Sequence, residues 1–313
     1  MNKTKYWIGR GVKNAILILF SLFCVFPLIW VVIAATNSSV DIVSGVLTPG
    51  SHLLENWKTL TENYDVGRTC LNSVKYSVVT TVVAMIVCSI AGYGFEIFHD
   101  RFKDKLFGLL MLTMMVPFVA TIIPLYQAYA RTGLPNSTLG FILPSVSTVF
   151  LIMLFRQNSK NFPKEIIEAA RIDGENETGI FFKMYVPTMG ATYAAGATIT
   201  FMYAWNNYMW ARLIMSDNSA QTLPMMISNM ITGHYIDYGM LMLAVLISTL
   251  PTLVVFFALQ KSFVQGMTGA VKGNGSGEDQ DPQSNQPQKG EKIPSQVEEP
   301  DGPEKIKNKL YGI

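Results

Sequence analysis

The run Glu165-Ile166-Ile167-Glu168-Ala169-Ala170-Arg171-Ile172-Asp173-Gly174, with Val186-Pro187 following it, is where residue types and spacing suit a specific task. The task is recognition rather than bond breaking. A helix over Lys164–Ile172 would present the Glu168 carboxylate beside Ala169 and Ala170, two side chains small enough to let another surface approach the backbone. Asp173-Gly174 would then stop that helix, because glycine readily takes the left-handed conformation of a C-terminal cap. A second helix starting near Asn176 or Thr178 and running through Phe181, Phe182 and Tyr185 to Pro187 would complete a short helix-turn-helix. The plain alternative for the carboxylate is an intrahelical Glu168–Arg171 pair, which contributes only tenths of a kcal/mol.

No other grouping offers reactive chemistry. Cys24 and Cys88 fall in apolar segments and Cys70 at the edge of one, with no CxxC spacing. His52, His99 and His234 lie in three separate loops, so no metal site is expected. No GxxxxGK[ST] phosphate loop occurs, and the scattered basic residues give no nucleic-acid surface.

The recognition run must be held by a membrane-embedded frame. Half of the 313 residues are apolar and 15% are charged, a membrane-like balance. Spanning a bilayer takes roughly 20 apolar residues. Six segments qualify: Ala15–Thr36, Tyr76–Phe95, Leu106–Tyr126, Leu139–Phe155, Thr188–Ala204 and Gly239–Leu259. The fourth and fifth are short. The first is read as a retained anchor, although Ile33-Ala34-Ala35 faintly resembles a cleavage site. Lys and Arg concentrate at the N-terminus, in the second and fourth connections and after the last span. The positive-inside rule therefore puts both termini and the Glu165–Pro187 loop in the cytoplasm. The outer connection Asn37–Asn72 is polar, with a short surface helix near Leu53–Leu60. Prolines 27, 117, 124, 144 and 251 fall within spans, and the fifth span is rich in Gly and Ala, as helices that pack closely are. No Asp, Glu, Lys, Arg or His lies inside the six spans as drawn, which speaks against ion-coupled carriage. After Gly273 the composition turns polar, and residues 274–313 are expected to be a disordered tail.

With those residues in view, the chain resembles the permease subunits of binding-protein-dependent ABC importers. Their coupling pattern reads here as Glu168-Ala169-Ala170, Gly174 and Met184-Tyr185-Val186-Pro187. Ile172-Asp173-Gly174 and Trp205-Asn206-Asn207-Tyr208-Met209-Trp210 look like the carbohydrate branch. Phe263 to Gly273 resembles the terminal signature of its MalG-like members, where such chains usually end. The resemblance covers roughly Asn14–Gly273.

It implies an all-α polytopic membrane protein with six transmembrane helices and the type I ABC importer permease fold. Its parts would be a cytoplasmic N-terminus (1–14), a permease domain (15–273) with a coupling loop (156–187), and the tail. It further implies a non-catalytic subunit in a bacterial or archaeal cytoplasmic membrane that forms half of a sugar pathway. Its partners would be a paralogous second permease, two cytoplasmic ATPase subunits carrying ATP and Mg, and an extracytoplasmic sugar-binding protein. This chain itself would bind no cofactor. The ATPase contact would fall on Glu168, Ala169, Ala170, Asp173 and Gly174, with Gln265, Gly266 and Lys272 near the ATPase interface. Candidates for the sugar path are Tyr126, Gln127, Trp205, Asn206, Asn207 and Tyr208, against the alternative that the aromatics form an interfacial belt. A permease for a non-sugar solute and a self-sufficient facilitator are the competing readings.

Overall fold

The computed structural model describes the backbone of residues 3–232 and 235–275, and side chains from Arg10 to Lys261 apart from 233 and 234. Every regular element among the described residues is helical. The long ones are α1 (Lys3–Ala34), α4 (Val66–Ile97) and α15 (Tyr238–Gly275). Two short helices, α2 (Ser39–Val43) and α3 (Leu53–Asn63), connect α1 to α4. Then come α5 (Arg101–Thr113), α6 (Phe118–Ala130), α7 (Thr138–Ile142) and α8 (Val149–Ser159). The coupling segment holds α9 (Lys164–Ile172), α10 (Glu177–Gly179) and α11 (Val186–Thr188). After it follow α12 (Gly190–Trp205), α13 (Tyr208–Ile214) and α14 (Leu223–Ile231).

The six apolar segments are all helical, but two are not the continuous rods the hydropathy suggested. The third breaks between α5 and α6 with a bend of 99°, and the fourth between α7 and α8 with a bend of 51°. Proline explains both places. Pro117 caps α6 and disfavours helical backbone in the residue before it. Pro144 sits at the start of a 3₁₀ turn, Leu143–Ser145, that ends the α7 arm. The fifth segment, α12, has only 16 residues, about 24 Å at 1.5 Å per residue. It packs mainly on α4 and α8 rather than standing alone in lipid. At the N-terminus, α1 begins at Lys3, so helix occupies most of the stretch expected to precede the first span. The tail expected from residue 274 lies outside the described residues beyond Gly275.

The centre of the molecule is α4, packed against α8 and α12. It buries one face of small and hydroxyl residues, among them Ser73, Ser77, Thr80, Ala84, Cys88 and Gly92. A Cβ placed on Gly92 would lie 2.5 Å from the Phe155 Cβ and 2.8 Å from the Arg156 backbone nitrogen. Only a residue with no side chain lets α4 and α8 cross there. On α12, Gly196 faces the Met85 side chain at 3.1 Å by the same measure, a gentler approach against a flexible neighbour.

One end of the bundle is stitched by polar contacts between distant segments. The buried Asn56 amide donates to the Ala35 and Asn37 carbonyls, both at 3.0 Å. Ser39 donates to Asp237 at 2.8 Å, and Asn72 donates to the Ser219 and Gln221 carbonyls. The body of α1, by contrast, is exposed along its length up to its last turn, where Trp30, Val31, Ile33 and Ala34 begin to pack.

Gly92→Ala should therefore force α4 and α8 apart and cost about 1–3 kcal/mol, the usual range for overpacking. Gly94→Ala on the same helix meets nothing within 4 Å and should be neutral or gain up to about 1 kcal/mol. Thermal unfolding of the detergent-solubilised protein separates the two, and equal melting temperatures would refute the close crossing.

Candidate functional site

At the end of the bundle opposite the stitched one, α8 leads into the coupling segment. The Ser159 hydroxyl donates to the Phe155 carbonyl at 2.7 Å and shares a 2.7 Å hydrogen bond with the Tyr185 hydroxyl. This joins the exit of α8 to the return of the segment, 26 residues on. Burial pushes the Tyr185 phenol well above its ordinary pKa, so it stays a neutral hydrogen-bonding group.

α9 is amphipathic in the way its sequence predicts. Ile167 and Ala170 point inward and are nearly fully buried. They join Tyr93, Phe162, Ile180, Phe181, Tyr185 and Met189 in one cluster. Tyr93 of α4 is its hub, meeting the Phe181 ring at 5.2 Å and the Tyr185 ring at 4.8 Å, both edge to face. Such pairs add about 0.5–1.5 kcal/mol beyond area burial. Glu168, Ala169, Asp173 and Gly174 remain on the exposed side. Ala170 does not: its small side chain serves this chain's own packing. Ile172 is 86% exposed, because an isoleucine two residues past the inward Ala170 falls on the outward face.

The helix end is built as expected, and in more detail. Gly174 has φ +82° with nothing within 4 Å of a would-be Cβ, so the glycine is required for backbone angle alone. The Gly174 N–H donates to Arg171 and the Glu175 N–H to Ala170, the paired 5→2 and 6→1 bonds of a Schellman cap. Asn176 then accepts from the Gly179 N–H at 2.7 Å to start the second arm. That arm continues as a wider π turn over Ile180–Tyr185 just before Pro187, whose ring tolerates no ordinary helical carbonyl four residues back.

Two surface ion pairs tie the arms together, Arg171–Glu177 at 2.7 Å and Lys183–Glu175 at 2.6 Å. Arg171 thus makes its direct ion pair across the turn with Glu177, while Glu168 faces outward within its electrostatic reach. The Lys183 ammonium holds the Glu175 carboxyl below its usual range. Because that pKa is depressed, the pair's contribution is complete above the ordinary carboxylate range and fades as pH falls through the folded value.

A second anchor sits where α8 leaves the bundle. The Arg156 Nε lies 3.3 Å from Glu96 at the end of α4, and its Nη2 lies 2.6 Å from Asp104 on α5. The guanidinium also covers the Phe107 ring at 4.3 Å. With only 14% of its side chain exposed, it clamps three helices at the root of the segment.

The sequence-predicted path residues do not share one surface. Trp205 and Trp210 are almost fully buried. The Trp205 indole donates to the Ser248 carbonyl and the Trp210 indole to the Gly140 carbonyl, each at 3.1 Å. They are pegs locking α12 and α13 to α15 and α7, neither path nor interfacial belt. The Asn207 side chain caps α13 by accepting from the Trp210 N–H, and Asn206 donates back to Met202. Ser228 donates to the Tyr208 hydroxyl at 3.0 Å. Tyr126 and Gln127 are exposed on α6. The side chains of Gln265 and Lys272 lie outside the described residues, as does any contact of Gly266; α15 runs through all three positions.

Residues 84–269 match the family described as "Binding-protein-dependent transport system inner membrane component". The lactose transport system permease protein LacG of Rhizobium radiobacter is 41% identical over 261 residues, 83% of this chain and 96% of that one. The arabinooligosaccharides transport system permease protein AraQ of Halalkalibacterium halodurans is 30% identical, covering 81% and 93%. The sn-glycerol-3-phosphate transport system permease protein UgpE of Pectobacterium atrosepticum is 32% identical, covering 83% and 96%. Among solved structures, a bacterial ABC transporter involved in the import of the acidic polysaccharide alginate superposes with a TM-score of 0.72 at 20% identity. That match covers 83% of this chain and 98% of the other, and establishes the likeness of fold.

Arg156→Ala should lower stability by about 2 kcal/mol, the scale of losing hydrogen bonds to charged groups. Arg156→Lys should recover only part, since lysine lacks the planar fork and its stacking. Combined with Glu96→Gln, the two losses should be clearly less than additive. Additive melting shifts would remove the clamp.

Proposed function

Because this chain belongs to the family of binding-protein-dependent transport system inner membrane components, we propose that it forms half of the pathway of an ATP-driven sugar importer and receives the ATPase stroke through α9. The chain is a transport subunit and not an enzyme. Hydrolysis belongs to separate ATPase subunits, where ATP and Mg would bind. A paralogous permease and an extracytoplasmic sugar-binding protein complete the proposed assembly.

The observation that carries this reading is the build of the coupling segment. It is a capped, cross-paired helix-turn-helix packed on α4 through Tyr93, not a loose loop. A partner seated on it would meet Glu168, Ala169, Ile172 and Asp173, with Gly174 fixing the turn and Ala170 anchoring the helix from behind. A rigid element is what a push from outside requires, because a flexible one would absorb the motion.

Sidedness follows from the charges. The end bearing the coupling segment also carries Arg101, Lys103, Lys105, Arg156, Lys160, Lys164, Arg171 and Lys183. The stitched end carries Lys58, Arg68, Lys75, Arg131 and Arg212. The positive-inside rule places the coupling end, and with it both termini, in the cytoplasm of a bacterial or archaeal cell. Sugar is favoured as the solute because the relatives named for lactose and arabinooligosaccharides are similar over nearly their whole length.

Gly174→Pro should leave the complex assembled yet uncouple hydrolysis from uptake. Proline holds φ near −65° and has no N–H, so it can neither adopt the +82° angle nor donate to Arg171. Copurification with the ATPase and sister permease should persist while sugar uptake into proteoliposomes falls at least about tenfold, as displaced coupling geometry would give. Normal uptake by this variant would sink the docking role of α9.

A further inference from the structure

Both broken spans open onto the same place. A cavity of about 520 Å³ lies where the α5–α6 break, the α7–α8 break and α12 meet, within the roughly 300–1,000 Å³ typical of small-molecule sites. Thr113 and Met114 line it from the first break, Ser145 and Thr148 from the second, and Thr200 and Tyr203 from α12. Interrupted helix at membrane depth leaves backbone polar groups unpaired, and is tolerated where it is buried in protein or lines a wet cavity. Here the second break is held in place: the buried Cys88 thiol of α4 donates to the Val146 and Thr148 carbonyls.

Five of the ten lining residues carry hydroxyls, and Met114, Val149, Phe150, Leu151 and Ile199 make the rest of the wall apolar. Thr113 and Thr200 donate to carbonyls of their own helices, at Leu110 and Gly196, so their oxygens can still accept. Tyr203 is 49% exposed, and its hydroxyl has no hydrogen-bond partner among the described residues. An aromatic face with nearby hydroxyls suits a sugar ring. No residue lining the cavity carries a charge, and burying an anion without a partner is costly.

We propose that this cavity is where the solute touches this subunit in transit, and that the solute is neutral and polyhydroxylated rather than a phosphate ester. Tyr203 stacks on it and hydrogen-bonds to it, and Ser145 and Thr148 bind its hydroxyls from across the break. The proposal rests on the importer reading and specifies its solute and contact residues.

The test uses the whole complex, with both permeases, the ATPases and the binding protein, in proteoliposomes. Lactose, arabinooligosaccharides and sn-glycerol-3-phosphate serve as probes. ATP-dependent uptake of a neutral probe, with none of the phosphate ester, is expected. Uptake of sn-glycerol-3-phosphate would overturn the neutral-solute inference while leaving the importer standing; uptake of none would overturn the importer reading itself. With the transported sugar, Tyr203→Phe and Thr148→Val should each raise the KM for uptake at least fivefold in complexes that copurify normally. In Tyr203→Cys, labelling by a membrane-impermeant methanethiosulfonate above the wild-type background should slow when that sugar is added during ATP cycling. Unchanged KM in both variants, or labelling indifferent to sugar, would overturn the cavity as a contact site.

Discussion

An arginine at the edge of an apolar bundle must find anions or draw water in after it, and Arg156 finds two. Its guanidinium takes Glu96 from the end of α4 and Asp104 from α5, over the Phe107 ring. The clamp stands one residue beyond Phe155, whose Cβ bears on Gly92. The tightest helix crossing and the most enclosed ion-pair network therefore share one turn of α8. That turn is the root from which α8 leads into the coupling segment, which Tyr93 and the Ser159–Tyr185 hydrogen bond hold further on. An isolated surface pair would hold nothing so firmly, since exposed ion pairs contribute roughly 0–1 kcal/mol. This one is mostly enclosed, serves two carboxylates and stacks on an aromatic ring.

The same economy shapes the interior. α4 presents hydroxyls and small side chains to α8 and α12, and the close approach they allow replaces the hydrophobic drive that lipid cannot supply between helices. The cost of small residues is a bundle with gaps, and one of them, of about 520 Å³, lies at the helix breaks. The tryptophans compensate on the stitched end, where the Trp205 indole reaches the Ser248 carbonyl inside α15 and the Trp210 indole reaches the Gly140 carbonyl, whose usual helical donor four residues on is replaced by Pro144.

Some of this was legible in the residues and some was not. Gly174 was, because a helix that ends on Asp-Gly offers few other backbone solutions, and the structure adds only the second hydrogen bond of the cap. The six apolar segments were legible as well, since hydropathy reports burial in lipid or protein. Their breaks were not: hydropathy carries no angle, and a proline in a span signals a kink without saying whether it is slight or 99°. The tryptophans misled for a related reason. An aromatic residue at the end of a span has the same sequence signature whether it faces an interface, a sugar or a neighbouring helix. Ala170 misled on scale, because a small residue permits close approach on either face, and which face is decided by Ile167 beside it.

Spatial contiguity does not by itself amount to coupling, yet the contacts limit how a push on α9 could spread. Ile167 and Ala170 pack in one cluster with Phe181 and Tyr185, whose rings meet Tyr93, so a displacement of α9 reaches α4 through the second arm of the segment. Arg156 makes α5 and α8 follow at the same end. α5, α8 and α12 supply the cavity walls around the two breaks, and α4 packs on α8 and α12 and holds the second break through Cys88. An unbroken helix would carry that movement past the cavity as a rigid rod. A helix broken at the cavity lets one arm move while the other keeps its packing, which is the property an alternating gate needs from spans that contain no charge to drive them.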